Sequence, residues 1–217
     1  TAVVQPHILD YNNKTHFEYA GAAGGYLDSF GIPFCRGRIL KHCEEDLGQY
    51  NETERIFWAS GACLAICKES FLEVGGFDED YFAHMEEIDL CWRLQNKGKQ
   101  IYYTSKAAVY HLGGGTLSNQ NPHKTFLNFR NSLFNLLKNA SSRNIYAKLF
   151  TRMLLDGVAA FFFLFKFQFS HFTAVLKAHF SFYANFSKMK RKRNVNRNQS
   201  KYYSRFSIVL DKVFKSN

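Results

Sequence analysis

The chain has no pair of cysteines at the short spacing of a metal ligand set. Its five Cys (Cys35, Cys43, Cys63, Cys67 and Cys91) are odd in number, and Cys63 and Cys67 are separated by three residues inside an apolar run. Reduced core thiols are favoured over a disulfide or zinc framework. No stretch near Thr1 has the basic, apolar and small-residue layout of a signal peptide. The densest apolar run, Gly157 to Phe165, falls short of the roughly 20 residues that a membrane span needs. Gly113-Gly114-Gly115 matches neither a Walker nor a dinucleotide fingerprint, so phosphate cradling is only weakly signalled. Acidic residues are scarce in the last third: from Ser141 onward 15 Lys/Arg face only Asp156 and Asp211.

That scarcity divides the chain. Net charge is +10 overall, but about +13 lies beyond residue 140, which leaves the first 140 residues near −3. Two parts with different partners are expected, 1–140 and 141–217. A length of 217 residues accommodates one ordinary α/β domain and something smaller. Thr1 is not an initiator Met, and Ala2-Val3-Val4 reads as a strand in progress. We therefore expect an incomplete chain, cut inside a larger domain.

Residues 1–9 read as a short strand, with Pro6 indicating an edge position or a strand end. Residues 20–38 read as a long loop, interrupted by Gly21, Gly24, Gly25, Gly31, Pro33 and Gly37. It closes on Arg36 and Arg38, which serve either solubility or contact with an anion or acceptor. Residues 56–67 form an almost uncharged run expected to be a buried central strand, where Gly61 marks a bulge or a close ligand approach. Lys68 to Val74 should make one or two helical turns stopped by Gly75-Gly76. A helix over 86–97 ends at Gly98, a strand runs from Gln100 to Leu112 with a break near Ser105-Lys106, and a second helix covers 123–138.

Glu86, Glu87 and Asp89 open the first of these helices. Carboxylates in a first turn are favoured by the helix dipole by roughly 0.3–1 kcal/mol each, which is by itself a structural reason for them. Their spacing offers a second reason. Asp89 and Arg93 are four apart and can pair, whereas Leu90 and Cys91 occupy the positions where a local cation would meet Glu87. A carboxylate near Tyr81, Phe82 and Trp92 can keep the basicity of a general base. His111, at a strand end before the glycines, is either a polar surface residue or a metal or phosphate contact.

The runs Trp58-Ala59-Ser60-Gly61-Ala62, Gly75 through Phe82, Glu86 through Arg93, and Val109-Tyr110-His111 occur in an order and spacing that resemble glycosyltransferase family two. The resemblance covers about residues 1–140, and the wording His84-Met85-Glu86-Glu87 is similar to members from the Bacteroidetes. It implies the C-terminal portion of a GT-A, Rossmann-like α/β domain. It also implies a nucleotide-sugar donor, a divalent cation (Mg or Mn) and inverting transfer to a glycan or lipid-linked acceptor of bacterial cell-surface polysaccharide. The family's Glu-Asp pair falls on Glu86 and Glu87, so Glu87 inherits the base role with one extra methylene. Asp89 and Arg93 match positions that shape the site, and His111 matches a histidine that completes the metal site in some relatives. Trp58 and Gly61 match a segment that approaches the sugars, and Arg36, Arg38 and Arg130 are further substrate-binding candidates. The family's nucleotide-binding half, with its Asp-x-Asp, is expected before Thr1, so this piece alone should be inactive. A truncated, non-catalytic glycan- or partner-binding module is the alternative.

Sixteen of the 23 Phe lie from residue 126 onward. Residues 145–186 mix apolar clusters with Lys148, Arg152, Lys166 and Lys177, as interfacial helices do, and Lys188 to Arg193 are polybasic. An α-helical segment attached to the anionic cytoplasmic face of a bacterial inner membrane is expected in preference to nucleic-acid binding. A buried helical hairpin with a solvated basic tail is the plain alternative.

Overall fold

The computed structural model describes residues 1–39, 42–113, 120–141, 143–195, 203–205 and 207–208. The chain forms two compact units, one of residues 1–77, 87–115 and 201–217, the other of residues 78–86 and 116–200. It is a mixed α/β chain with a central sheet, consistent with a GT-A domain.

The first unit begins with β1 (Val3–Asp10), followed by β2 (Gly25–Asp28), β3 (Pro33–Cys35), β4 (Arg38–Ile39), β5 (His42–Cys43), β6 (Glu54–Ile56) and β7 (Ala65–Ile66). Helix α1 (Lys68–Glu73), helix α2 (Glu86–Asn96) and β8 (Ile101–His111) follow, and β9 (Tyr203–Arg205) comes last. One sheet has the order β6-β8-β1-β7, the other β5-β4-β3-β2-β9. Parallel pairing of β1 with β8 forms the centre of the first sheet, where Val3, Ile8, Ile101 and Tyr103 are fully buried.

Pro6 corrects one expectation: β1 is an inner strand, not an edge. Two features of the ladder make room for a residue with no N–H. β7 pairs only with Val3 and Val4, and on the β8 side the register shifts between Pro6 and His7, from Thr104 to Ala108. That bulge falls where the break near Ser105-Lys106 was expected.

Residues 20–38 are not a loop either. They fold as the β2–β3 hairpin, whose turn is held by the Asp28 carboxylate accepting from the N–H groups of Phe30 and Ile32, each at 2.9 Å. Gly31 takes the left-handed φ of 71° that this turn needs. Gly25 serves another purpose: a Cβ there would lie 2.1 Å from the Trp58 ring, so only glycine lets the strand pass.

The apolar run 56–67 is not one strand. β6 ends at Ile56, and Phe57 to Ser60 are buried outside any strand before β7 begins at Ala65. Trp58 is bridged to Gly25, and the Ser60 N–H donates to Gln5 Oε1 at 2.8 Å, so distant partners satisfy this backbone in place of a ladder.

The helices of this region follow their sequence signals. Gly75 and Gly76, both left-handed, stop α1. Gly98 (φ 78°) stops α2, with its N–H donating to Gln95 and that of Lys99 to Leu94. Leu90, Trp92 and Leu94 are wholly buried, and Phe57 meets the Trp92 ring edge-on at 5.3 Å. All five cysteines carry free thiols, but only Cys35 and Cys91 are core thiols; Cys67 is exposed.

The second unit contains a 3-10 turn (Glu79–Tyr81), α3 (Pro122–Asn139), α4 (Ile145–Phe165) and α5 (Phe169–Arg191). Asn121 caps α3 by accepting from the His123 N–H at 2.8 Å, with Pro122 opening the helix. Buried Phe134 and Phe182 join α3 to α5, and Tyr81 packs edge-on against Phe134. Among the described residues, no helix is long and apolar enough to cross a membrane.

Candidate active site

The chain passes from one unit to the other between Glu86 and Glu87. Each side has its own apparatus.

In the first unit, Glu87 opens α2 beside an exposed glycine. A Cβ on Gly61 would meet the Glu87 Cβ at 4.0 Å and nothing else, so the glycine leaves space beside the start of α2. The Glu87 charge is felt at two buried thiols. Burial pushes Cys91 up to about 12 and Cys35 up to about 11, with Arg38 opposing and Glu87 adding to the rise at Cys35. Arg38 lies close by, donating to Cys35 Sγ at 3.6 Å and to the Tyr19 carbonyl at 2.7 Å. It also faces the Tyr19 ring at 4.3 Å.

Other predicted residues hold the frame. Asp89 is fully buried and accepts from Arg93 Nε at 2.7 Å. The remaining guanidinium nitrogens of Arg93 donate to the carbonyls of Val74 and Gly76, so this pair pins the glycine turn to α2. Trp58 is buried, with its indole N–H on the Tyr26 carbonyl. Arg36 pairs with Glu54, donates to the Ala23 carbonyl and lies among the rings of Tyr26, Tyr50 and Tyr103.

His111 ends β8 with its Nδ1 3.2 Å from Glu18 Oε2, too poorly aligned for a hydrogen bond. Glu18 is buried, accepts from the Ala20 N–H at 2.6 Å, and comes so near Gly113 that a Cβ there would sit 2.7 Å from Oε1. No sequence motif pointed to Glu18. Among the described residues no three His, Cys, Asp or Glu side chains converge on one point. A carboxylate and an imidazole nitrogen with no hydrogen bond nevertheless suit a divalent ion whose other ligands are water and a diphosphate.

In the second unit, the segment 78–86 is held by α3. Phe82, His84 and Met85 all take left-handed φ values of 64–70° without being glycine. Such residues cost of order 1 kcal/mol or more each, and persist only where their surroundings hold them. Asn131, fully buried, brings Nδ2 to 2.7–3.1 Å from the carbonyls of Tyr81, Ala83 and His84. Asn135 donates to the Met85 carbonyl at 3.2 Å and accepts from the Tyr81 hydroxyl at 2.8 Å. Arg130 donates to the carbonyls of Asp80 and Tyr81 and lies against the rings of Phe126 and Phe134. The two asparagines were missed, although two amides four apart on an apolar helix face were a legible signal.

This clamp presents two polar atoms that are buried without a hydrogen bond, His84 Nε2 and Glu86 Oε2. Burial raises the Glu86 carboxyl and lowers the His84 imidazole, the latter with help from Lys124 and His123. Buried polar groups with displaced proton affinity occur both at functional sites and in structural networks.

The chain belongs to glycosyltransferase-like family 2, whose pattern matches residues 14–152. It is similar to N-acetylglucosaminyl-diphospho-decaprenol L-rhamnosyltransferase of Mycobacterium tuberculosis, 46% identical over 56 residues, 26% of this chain and 18% of that one. It is 34% identical to the rhamnosyltransferase WbbL of Escherichia coli K12 over 99 residues, 45% of this chain and 36% of the relative. A pre-mycofactocin glycosyltransferase of Mycobacterium tuberculosis is 32% identical over 83 residues, 36% of this chain and 17% of its own. The chain thus spans well under two thirds of these relatives, and they lend no support to the Bacteroidetes-like wording.

Proposed function

We propose that this chain supplies the acceptor-side chemistry of an inverting, metal-dependent glycosyltransferase of the hexosyltransferase class. A sugar passes from a nucleotide-sugar donor to a glycan or lipid-linked acceptor of the bacterial cell surface. The observation that carries this reading is Glu87 beside open Gly61 at the start of α2. The carboxylate takes the proton of an acceptor hydroxyl as that oxygen attacks the anomeric carbon. The bond from that carbon to the donor's phosphate oxygen breaks on the opposite side, the configuration inverts, and the nucleoside diphosphate leaves. Glu18 and His111 would hold a divalent cation, which when bound supplies countercharge for the leaving diphosphate. Arg38 would contact an anionic substrate, whereas Arg36, Arg93 and Trp58 would maintain the shape around it.

The diphospho-decaprenol in one relative's name supports a polyprenyl-linked acceptor. With it comes a peripheral position on the cytoplasmic face of the inner membrane. Nucleic acid has no part in this reading. The test is Glu87→Gln in the protein with its natural flanking sequence. Turnover should fall by about 10²–10⁴-fold, the usual worth of a general base, while calorimetric donor binding stays unchanged. Wild-type turnover would remove Glu87 as the base.

A further inference from the structure

Helix α4 is built inside out. Its inward stripe includes Arg152 and Asp156, both buried, joined from Nε to Oδ1 at 2.8 Å. Arg152 also donates to Ser132 Oγ at 2.8 Å, and His179 Nε2 lies 3.4 Å from the second Asp156 oxygen. Its outward stripe is apolar: Tyr146, Phe150, Leu154, Val158, Phe162 and Phe165 recur every three or four residues, each more than half exposed. On α5, Phe169, Phe180 and Tyr183 are likewise more than half exposed, and Phe167 in the turn between the helices is 80% exposed. An apolar face of this extent, on a helix that hides its ion pair, is uncommon unless something covers it.

Charge identifies the covering. From Ser141 to Val195, Asp156 is the only acidic residue, and it is buried and paired. Within that segment Lys166, Lys177, Lys190 and Arg191 are exposed, with no exposed anion between them in sequence. A second copy on this face would bring like charges together, whereas an anionic lipid surface is complementary. The polybasic end contributes less than its sequence indicates, because Lys188 and Lys192 are engaged by Asp78 and Asp80.

We propose that the outward faces of α4 and α5 are a docking surface for an anionic bilayer, with the aromatic side chains of the turn Phe165–Phe169 entering the headgroup–acyl boundary. This deepens the peripheral-membrane part of the function proposed above, and rests on that part alone.

The experiment is co-sedimentation of the full chain with vesicles of phosphatidylglycerol and phosphatidylcholine in equal parts, against pure phosphatidylcholine, at low salt. We expect binding to the mixed vesicles, at least tenfold weaker binding to phosphatidylcholine, and a tenfold loss in Phe150→Ser/Phe162→Ser/Phe165→Ser with helical circular dichroism retained. Single Phe165→Ser and Phe167→Ser variants, at side chains that touch little of the fold, should each lower binding severalfold and carry the test if the triple variant loses helix. Undiminished binding of these variants, or equal binding to both vesicles, overturns the proposal. So does a concentration-dependent dimer in ultracentrifugation that the same substitutions abolish. Vesicle binding needs neither donor nor acceptor, so its failure leaves the glycosyl-transfer reading standing, and Glu87→Gln should bind vesicles like the wild type.

Discussion

Glu86 shows what burial does to a single carboxyl. Its folded form holds a proton to higher pH than the unfolded chain does, because burial penalises the charge. Stability is therefore lost as pH rises from the ordinary carboxylate value through the raised one, and the loss is complete above it. Glu86→Gln removes that loss. The variant should have a higher urea midpoint than the wild type at pH 7.5, with the difference shrinking towards pH 4. A midpoint below the wild type's at pH 7.5 would show that ionised Glu86 has a stabilising partner. Asp78, on the same segment, behaves oppositely. Burial alone would raise it, but hydrogen bonds from Lys138 and Lys192 override burial and hold it well below the usual carboxylate range. Its contribution is present above the unfolded value and lost only as pH falls through the depressed one. The paired Lys138 is itself buried. Asp78→Asn should thus cost about 3 kcal/mol in denaturant unfolding at pH 7, since it takes the Asp78 charge away from a buried ammonium.

At the scale of elements, α3 acts as the scaffold of the segment before α2. Asn131 and Asn135 bind main-chain carbonyls, so the loop's path depends on side chains 47–50 residues away in sequence. Asn131→Leu preserves size but removes the Asn131 donor from the carbonyls of Ala83 and His84. We expect about 1–3 kcal/mol of destabilisation in urea unfolding. Faster proteolytic cleavage within 82–85 should accompany it, read as fragment masses. Cleavage at the wild-type rate would mean that the left-handed residues hold themselves.

At the scale of the molecule, legibility tracked how local the determining forces were. α2 and α3 could be read because the apolar period lies within each helix, and Gly98 lies just beyond the end of α2. The β2–β3 hairpin is not legible in the sequence because its strands are only four and three residues long, and its glycines, which serve a turn and a passage past Trp58, have the composition of a loop. The run 56–67 departs from the expected strand because continuous apolarity signals burial alone, while Gln5 and Gly25, far off in sequence, hold its backbone outside the sheet. Within the candidate site, the Asp89–Arg93 pair was visible as a four-residue spacing. The approach of Glu18 to His111 was not, since 93 residues separate them and neither belongs to a periodic pattern.

The buried pair in α4 has a consequence for how that helix responds to its medium. Arg152 and Asp156 answer each other's hydrogen-bonding needs on the inner side, so nothing there must be rearranged when the medium outside changes from water to lipid. Adsorption through the aromatic stripe would then carry no refolding step. It would depend on exchanged surface alone, and so be fast, reversible and tunable one side chain at a time.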